Sequence, residues 1–316
     1  MDRGRPGRKG RAILLFFSFG DGLMFFARDP ISFPEDLNKA LHAAIHSKRK
    51  NLGSPLRTLW PKLAKQRGQS HEGEKHYSFL PEEADAYASY YLPVNSLKAA
   101  LSMEESFLLG HDPAPGGKMD WLDLGTGPGT AYWGIAWWSQ RHGTDLRFTG
   151  WDQSPIFTRI AKDFARYSPF GGAPNFLSDG DLFSVLKRQK PTHLSFVNSV
   201  SEIFPDEEDR FQQIEKILAQ LREFEKKDSR PRYLLVVEPG SKESSRELAR
   251  LKDRIQEEKI GSVLLPCLDQ RRCGALRDPK DWCHEEVACE FPDWVNQLGM
   301  EAGLRKESML FSYAWI

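Results

Sequence analysis

The chain has 316 residues, 40% of them hydrophobic and 12% aromatic, which excludes general disorder and supplies one large or two modest cores. Its 44 Lys and Arg balance its 44 Asp and Glu, so a uniformly basic nucleic-acid binder is excluded while local basic patches are not. No run of about 18 apolar residues occurs, so no membrane span is expected.

In chain order, Arg3, Arg5, Arg8, Lys9 and Arg11 precede the apolar stretch Ile13–Phe19. Asp21 breaks that stretch and no small-residue cleavage site follows, so the pattern of a secretory signal is not met. A mitochondrial transit peptide would also be Arg-rich, but it would carry an amphipathic helix that this Gly-rich opening lacks. Residues 1–31 are expected to form a flexible extension, with Met24 as an alternative start. Ordered structure is expected from Ser32, where Pro34 opens a helix with Leu37, Leu41 and Ile45 on one face.

Residues 32–117 read as a helical region. Between His46 and His71 it holds Lys48, Arg49, Lys50, Arg57, Lys62, Lys65 and Arg67 and no acidic residue. Pro and Gly interrupt this stretch, so it reads as a basic arm, either solvated or touching phosphates. Glu82 to Met103 predicts one or two helices with Pro93 at a kink or break. The Pro- and Gly-rich segment from His111 to Gly117 reads as a linker.

The pattern then changes. Strands are predicted at 119–124, 146–151, 175–177, 193–199 and 233–237, alternating with helices at 130–141, 156–167, 182–188, 207–226 and 241–257. Short connections between them predict a parallel, doubly wound α/β sheet spanning a domain from 118 to 316. Met309–Ile316 reads as a further buried strand, with no partner strand after it.

The first of these strands runs into Leu122-Asp-Leu-Gly-Thr-Gly-Pro-Gly-Thr130. Gly125, Gly127 and Gly129 permit a tight turn beneath a ligand, and the helix that follows presents unpaired N–H groups. A dinucleotide fingerprint would place Gly at position 130, where this chain has Thr, so nicotinamide or flavin is the weaker reading. The spacing resembles the S-adenosylmethionine loop of class I methyltransferases, with Asp123 near the methionine end of the ligand. Asp152 ends the second strand, where a carboxylate can accept ribose hydroxyls, with Trp151 or Gln153 beside the adenine. Asp181 is expected at the adenine amino group.

The reacting side is less legible. Val197-Asn-Ser-Val-Ser-Glu202 ends the 193–199 strand without the Asn-Pro-Pro-Tyr motif of base-amino methylation, and no nucleophilic Cys lies nearby. Glu202 and Glu238 are the candidate catalytic carboxylates, and neither names an acceptor atom.

All four cysteines fall within Cys267-x5-Cys273-x9-Cys283-x5-Cys289. Four thiolates suit tetrahedral zinc or an iron–sulfur cluster. Zinc knuckles use C-x2-C pairs, absent here, and the wider loops fit a four-iron cube more easily. His284 is the rival to Cys289 as fourth ligand. Arg271, Arg272 and Arg277 leave the intervening loop basic, an RNA-facing surface.

Residues 80–316 resemble the methyltransferase-like assembly-factor family of the mitochondrial small ribosomal subunit and its bacterial relatives. The resemblance rests on Tyr87-Ala-Ser-Tyr-Tyr-Leu-Pro93, the glycine loop to Ala131, Ser201-Glu202, Val237-Glu-Pro-Gly-Ser241, the Cys267-x5-Cys273 pair, Asp281-Trp-Cys-His284 and Phe311-Ser-Tyr. It implies a class I methyltransferase (Rossmann-like) fold that binds S-adenosylmethionine, and a four-iron, four-sulfur (4Fe-4S) cluster in a Cys-rich insertion. It also implies a role on small-subunit ribosomal RNA in assembly or translation, in the cytoplasm of a bacterium or the mitochondrial matrix of a eukaryote. Cys267, Cys273 and Cys283 carry over by motif. The family's Cys-Pro-His is Cys267-Leu-Asp here, and its fourth Cys follows the Phe-Ser-Tyr strand, so Cys289 is assigned by count and proximity. No stable protein partner is expected. The alternatives are a non-catalytic ribosome-assembly module and a small-molecule methyltransferase with a structural zinc site.

Overall fold

The computed structural model describes residues 30–46, 52–59, 79–268 and 270–316. The expectations for residues 1–29, including Met24, and for Lys48, Arg49, Lys50, Lys62, Lys65 and Arg67 lie outside these residues. Seven strands follow the first helices: β2 (Lys118–Leu124), β3 (Asp145–Trp151), β4 (Asn175–Leu177), β5 (His193–Val197), β6 (Tyr233–Pro239), β7 (Glu285–Glu290) and β8 (Ser308–Trp315). A two-residue β1 (Ile31–Ser32) precedes them. Together they form one eight-stranded sheet in the order β4-β3-β2-β5-β6-β8-β7-β1.

The order reverses direction between β2 and β5, as in doubly wound sheets that bind ligands at the carboxyl ends of their strands. The expected all-parallel sheet is corrected at one place: β8 runs antiparallel to both β6 and β7. Alternation of strand and helix fixes element type but not the direction of a strand reached after the last crossover helix. β7 itself was not predicted. Its Glu-Glu-Val-Ala-Cys-Glu sequence alternates inward and outward, with a buried carboxylate, Glu285, where an apolar residue is expected.

Strand residues are buried on both faces, and the two faces feed two cores. On one side, Met119, Trp121, Leu235, Val237, Phe311 and Trp315 pack against α1 (Glu35–His46), α2 (Pro81–Asn95), α3 (Leu97–Leu108), α4 (Thr130–Arg141) and α5 (Pro155–Ala165). On the other, Leu122, Leu194, Phe196, Leu234 and Val236 pack against α6 (Leu182–Gln189), the single turn α7 (Val200–Ile203), α8 (Glu207–Asp228) and α9 (Lys242–Glu257). Leu37, Leu41 and Ile45 of α1 are fully buried, as the spacing predicts. Helix α10 (Asp293–Glu301) joins β7 to β8.

Pro93 lies inside α2, and the helix ends two residues later at Asn95. At this junction α4 crosses so closely that a Cβ on Gly134 would lie 2.0 Å from the Ser96 carbonyl oxygen. Among the described residues, no helix is long and apolar enough to cross a membrane.

Candidate cofactor site

The carboxyl end of β2 builds the site. Gly125, Gly127 and Gly129 have φ of +71°, +53° and +86°, the left-handed region that favours glycine. The N–H groups of Gly125 and Thr126 both donate to the Trp151 carbonyl (2.8 and 3.0 Å), tying the loop to the end of β3. A Cβ on Gly125 would lie 2.6 Å from Cβ of Ser199, whereas a Cβ on Gly127 would meet only open space. Gly125 is therefore required by packing, and Gly127 faces the cavity. No side chain caps the start of α4, which leaves its first N–H groups to a ligand.

The cavity holds about 460 Å³ and is lined by Asp123, Gly125, Thr126, Gly127, Trp151, Asp152, Gln153, Asn198 and Glu202 among others. Asp152 Oδ2 accepts from Gly127 N (2.7 Å) and Oδ1 from Ser154 N (2.8 Å), so the half-buried carboxylate shapes the loop and keeps its remaining lone pairs for the cavity. Burial pushes its carboxyl up, against those two donors.

Asp123 is buried at the cavity floor. Its Oδ1 accepts from the Ser195 hydroxyl (2.5 Å), and Ser195 Oγ in turn accepts from Trp121 Nε1 (2.8 Å). Burial pushes the Asp123 carboxyl up to about 7, with the charge of Asp152 adding to it and the Ser195 hydrogen bond opposing it. A cation bound against Asp123 would hold it ionised; without one, it shares the site with a proton near neutral pH.

Asp181 does not line the cavity. Its exposed carboxylate caps α6, accepting from Phe183 N (3.0 Å) and Ser184 N (3.1 Å). The Ser184 hydroxyl and then the Ser184 N–H hold this carboxyl below its ordinary range. The structure thus shows Asp181 as a helix cap outside the cavity lining, the more common use of an Asp before a helix.

The two candidate catalytic carboxylates separate. Glu202, on α7, reaches the cavity lining. Glu238 does not; it is buried, accepts from the Ser201 hydroxyl (2.6 Å), and burial pushes its carboxyl up. Sequence reasoning missed Asn198. It directly follows β5 with φ +58°, its N–H donates to the Val237 carbonyl (2.7 Å), and its buried Oδ1 has no hydrogen-bond partner in the protein. Asn tolerates this backbone region better than most residues, which is the signal the sequence offered. Also missed were Phe79 and Tyr87, which with Phe157 form an aromatic wall with ring centroids 5.0 to 5.5 Å apart.

The cysteines divide three and one. Cys283 lies close enough to Cys273 and Cys267 for their charges to act on it, although burial is the main cause of its raised pKa. Lys252 Nζ is 3.3 Å from Cys267 Sγ, and Asp253 accepts from the Cys273 N–H (2.9 Å). Cys289 points into the apolar core from β7, and burial pushes its thiol up to about 12. The alternation of β7 puts Cys289 on the same face as Glu285 but about 13 Å further along the strand. Cys289 is thus buried, where Cys267, Cys273 and Cys283 are only half-buried. His284 is half-buried beside Cys283, with Nδ1 lacking a protein partner. Among the described residues, no group of three or more His, Cys, Asp or Glu side chains is arranged to hold a metal ion, so the four-ligand set does not fit a cluster or zinc as it stands.

The doubly wound sheet, its glycine turn and the acidic cavity define a methyltransferase-like α/β protein. Residues 82–314 match the family model described as mitochondrial small ribosomal subunit Rsm22, and the chain belongs to that family. No curated protein matches it. Among solved structures it is similar to the METTL16 MTase domain (13% identity over 90% of this chain and 98% of that one, TM-score 0.37). It is also similar to the human methyltransferase 10 domain containing protein (13%, 84% and 98%, TM-score 0.37). An O-methyltransferase family protein from Burkholderia thailandensis matches at 13% identity, 83% and 71% coverage, and a TM-score of 0.39. At such scores these likenesses carry no argument; the strand order and the family match do.

Proposed function

We propose that this protein binds S-adenosylmethionine in the cavity at the carboxyl ends of β2 and β3 and acts on small-subunit ribosomal RNA, in the mitochondrial matrix of a eukaryote or the cytoplasm of a bacterium. The observation that carries the cofactor half is the Gly127 turn, which exposes backbone to open cavity between two carboxylates. Asp123 holds the cationic amino-acid end, Asp152 accepts from the ribose hydroxyls, and Gly125 and Gly129 set the turn. The bound cofactor supplies an electrophilic methyl group. Asn198 Oδ1 and Glu202 are the polar groups placed to orient an acceptor beside it.

The ribosomal half rests on family membership. Its partner is the small subunit as a whole, so the expectation of no stable protein partner is not carried forward.

Isothermal titration of S-adenosylmethionine tests the cofactor half. Wild-type protein is expected to bind, and Gly127→Ala to lose about tenfold or more in affinity while staying folded, because the added methyl occupies ligand space. Equal binding by the two proteins would sink the site. Co-sedimentation with small subunits, followed by mass spectrometry of their rRNA nucleosides, tests the other half.

A second reading is a module that binds the cofactor without transferring its methyl group. It is favoured by Glu238 facing Ser201 rather than the cavity. It predicts ribosome association with no change in rRNA methylation.

The cluster reading rests on the resemblance alone, because the residues as placed form no metal-holding group. Metal analysis of anaerobically purified protein decides it: about four irons per chain with broad visible absorption would support the resemblance. Colourless, iron-free protein would end it, and one zinc would replace it.

A further inference from the structure

We propose that Trp282, displayed by the loop before β7, is a stacking platform for a base of single-stranded RNA, with Arg277 and Lys280 taking the flanking phosphates. The inference rests on the RNA reading above and gives it a surface.

The loop is built to hold a shape. Arg246 of α9 donates through Nη1 to the carbonyls of Ala275 (3.1 Å), Asp278 (2.8 Å) and Asp281 (2.6 Å), and through Nη2 to that of Leu276 (3.5 Å). One buried-side guanidinium thus gathers carbonyls spread over seven residues. The planar fork of Arg makes it suited to this task.

What the staple presents is an indole in a fixed orientation. Trp282 Nε1 donates to the Gly240 carbonyl (3.2 Å), and the ring stacks on His284 with centroids 5.5 Å apart and planes at 19°. Even so, Trp282 stays 37% exposed, whereas the tryptophans of the sheet, Trp121, Trp151 and Trp315, are almost fully buried. An aromatic held by edge and face, yet open to water, has lost its conformational freedom in advance of a partner. Core packing does not account for that exposure.

Position and charge select the partner. Gly240 directly follows β6, on the carboxyl rim of the sheet, and β5 beside it is followed by the cavity-lining Asn198. Trp282 therefore stands on the carboxyl side of the sheet, the side on which the cavity opens. Arg277 and Lys280, both exposed, precede it by five and two residues in the same loop, while Arg272 is engaged by Glu257. A flat aromatic face beside exposed cations is the arrangement that takes stacked bases and backbone phosphates together. A duplex hides its base faces and cannot use the indole.

The test uses the full-length protein and a fluorescein-labelled single strand of about ten nucleotides, with the blunt duplex of the same sequence as control. Anisotropy reads RNA binding, and titration with S-adenosylmethionine reads the cavity independently. Wild-type protein is expected to prefer the single strand. Trp282→Ala is expected to lose about tenfold or more, and Trp282→Phe much less, with cofactor binding unchanged in both. Replacing Arg277 and Lys280 together by Ala is expected to reduce the slope of log affinity against log salt by about 1.4.

Unchanged single-strand binding by Trp282→Ala would overturn the assignment. So would loss of cofactor binding in the same variant, which would make the indole a strut. Wild-type protein that binds cofactor but ignores single strands would remove both this inference and the RNA half of the proposed function. That result, with small-subunit co-sedimentation intact, would point to a protein surface instead. Tryptophan-dependent RNA binding without cofactor binding would leave the inference standing and remove the cofactor half.

Discussion

At pH 8 the Asp123→Asn variant is expected to melt higher than the wild-type apoprotein and to lose tight binding of S-adenosylmethionine. The carboxyl of Asp123 is pushed from 3.8 to about 7 by burial. Between those values the native state keeps a proton that the unfolded chain has released, so wild-type stability falls as pH rises from about 4 to 7. Above pH 7 both states are deprotonated and the accumulated loss, on the order of 2–4 kcal/mol, stays constant. Asn keeps the acceptor oxygen for the Ser195 hydroxyl but carries no charge, so the variant escapes this fall. The difference in melting temperature should therefore widen from pH 4 to pH 7 and then level off. A difference that ignores pH would mean that Asp123 is not a buried, protonated acid in the apoprotein. Saturating cofactor should shrink the gap, because its cationic end stabilises only the ionised wild-type side chain.

Gly134→Ala should be the most damaging glycine-to-alanine change among the described residues. The added Cβ would lie 2.0 Å from the Ser96 carbonyl oxygen and 3.4 Å from the Ala100 side chain. The first of these is backbone and cannot rotate away. Ala ordinarily favours a helix over Gly by about 1 kcal/mol, so intrinsic propensity predicts stabilisation. The clash outweighs it, with an expected net loss of about 3 kcal/mol or more and a melting temperature lower by roughly 5–10 °C. Thermal unfolding followed by circular dichroism decides the sign. A variant as stable as wild type would mean that α4 and the α2–α3 junction can move apart freely.

The elements from β2 to α9, the single turn α7 aside, were legible because each is amphipathic or uniformly apolar over its own length. In the structure the Asp206 and Ser241 side chains cap α8 and α9. The glycine loop was legible because a tight turn imposes its residues locally. β1, β7 and α10 were not. β1 is too short to show a period, and β7 carries a buried Glu285 and a cysteine that drew the reading toward a metal. The site divides along the same line. Asp123, Asp152 and the glycines are fixed by the strand ends that carry them. Asn198, Tyr87 and Phe157 reach the cavity from three separate elements, and only the fold brings them together. Asp181, whose spacing also suited a ligand, is engaged by the N–H groups of its own helix.

The position of β8 has a consequence for how the protein is made. β7 and β1 connect to the rest of the sheet only through β8, which pairs with β6 on one side and β7 on the other. Ser32 and Glu290, bonded across the outer edge, are 258 residues apart. On a translating ribosome, β2 to β6 can assemble while that edge is still open. Its exposed strand then waits for residues 308–315 before β7 and β1 can dock. Such distant pairings are slow to form, and an open β6 edge is a template for other chains. Nascent protein should thus depend on chaperones most acutely in the interval just before β8 emerges.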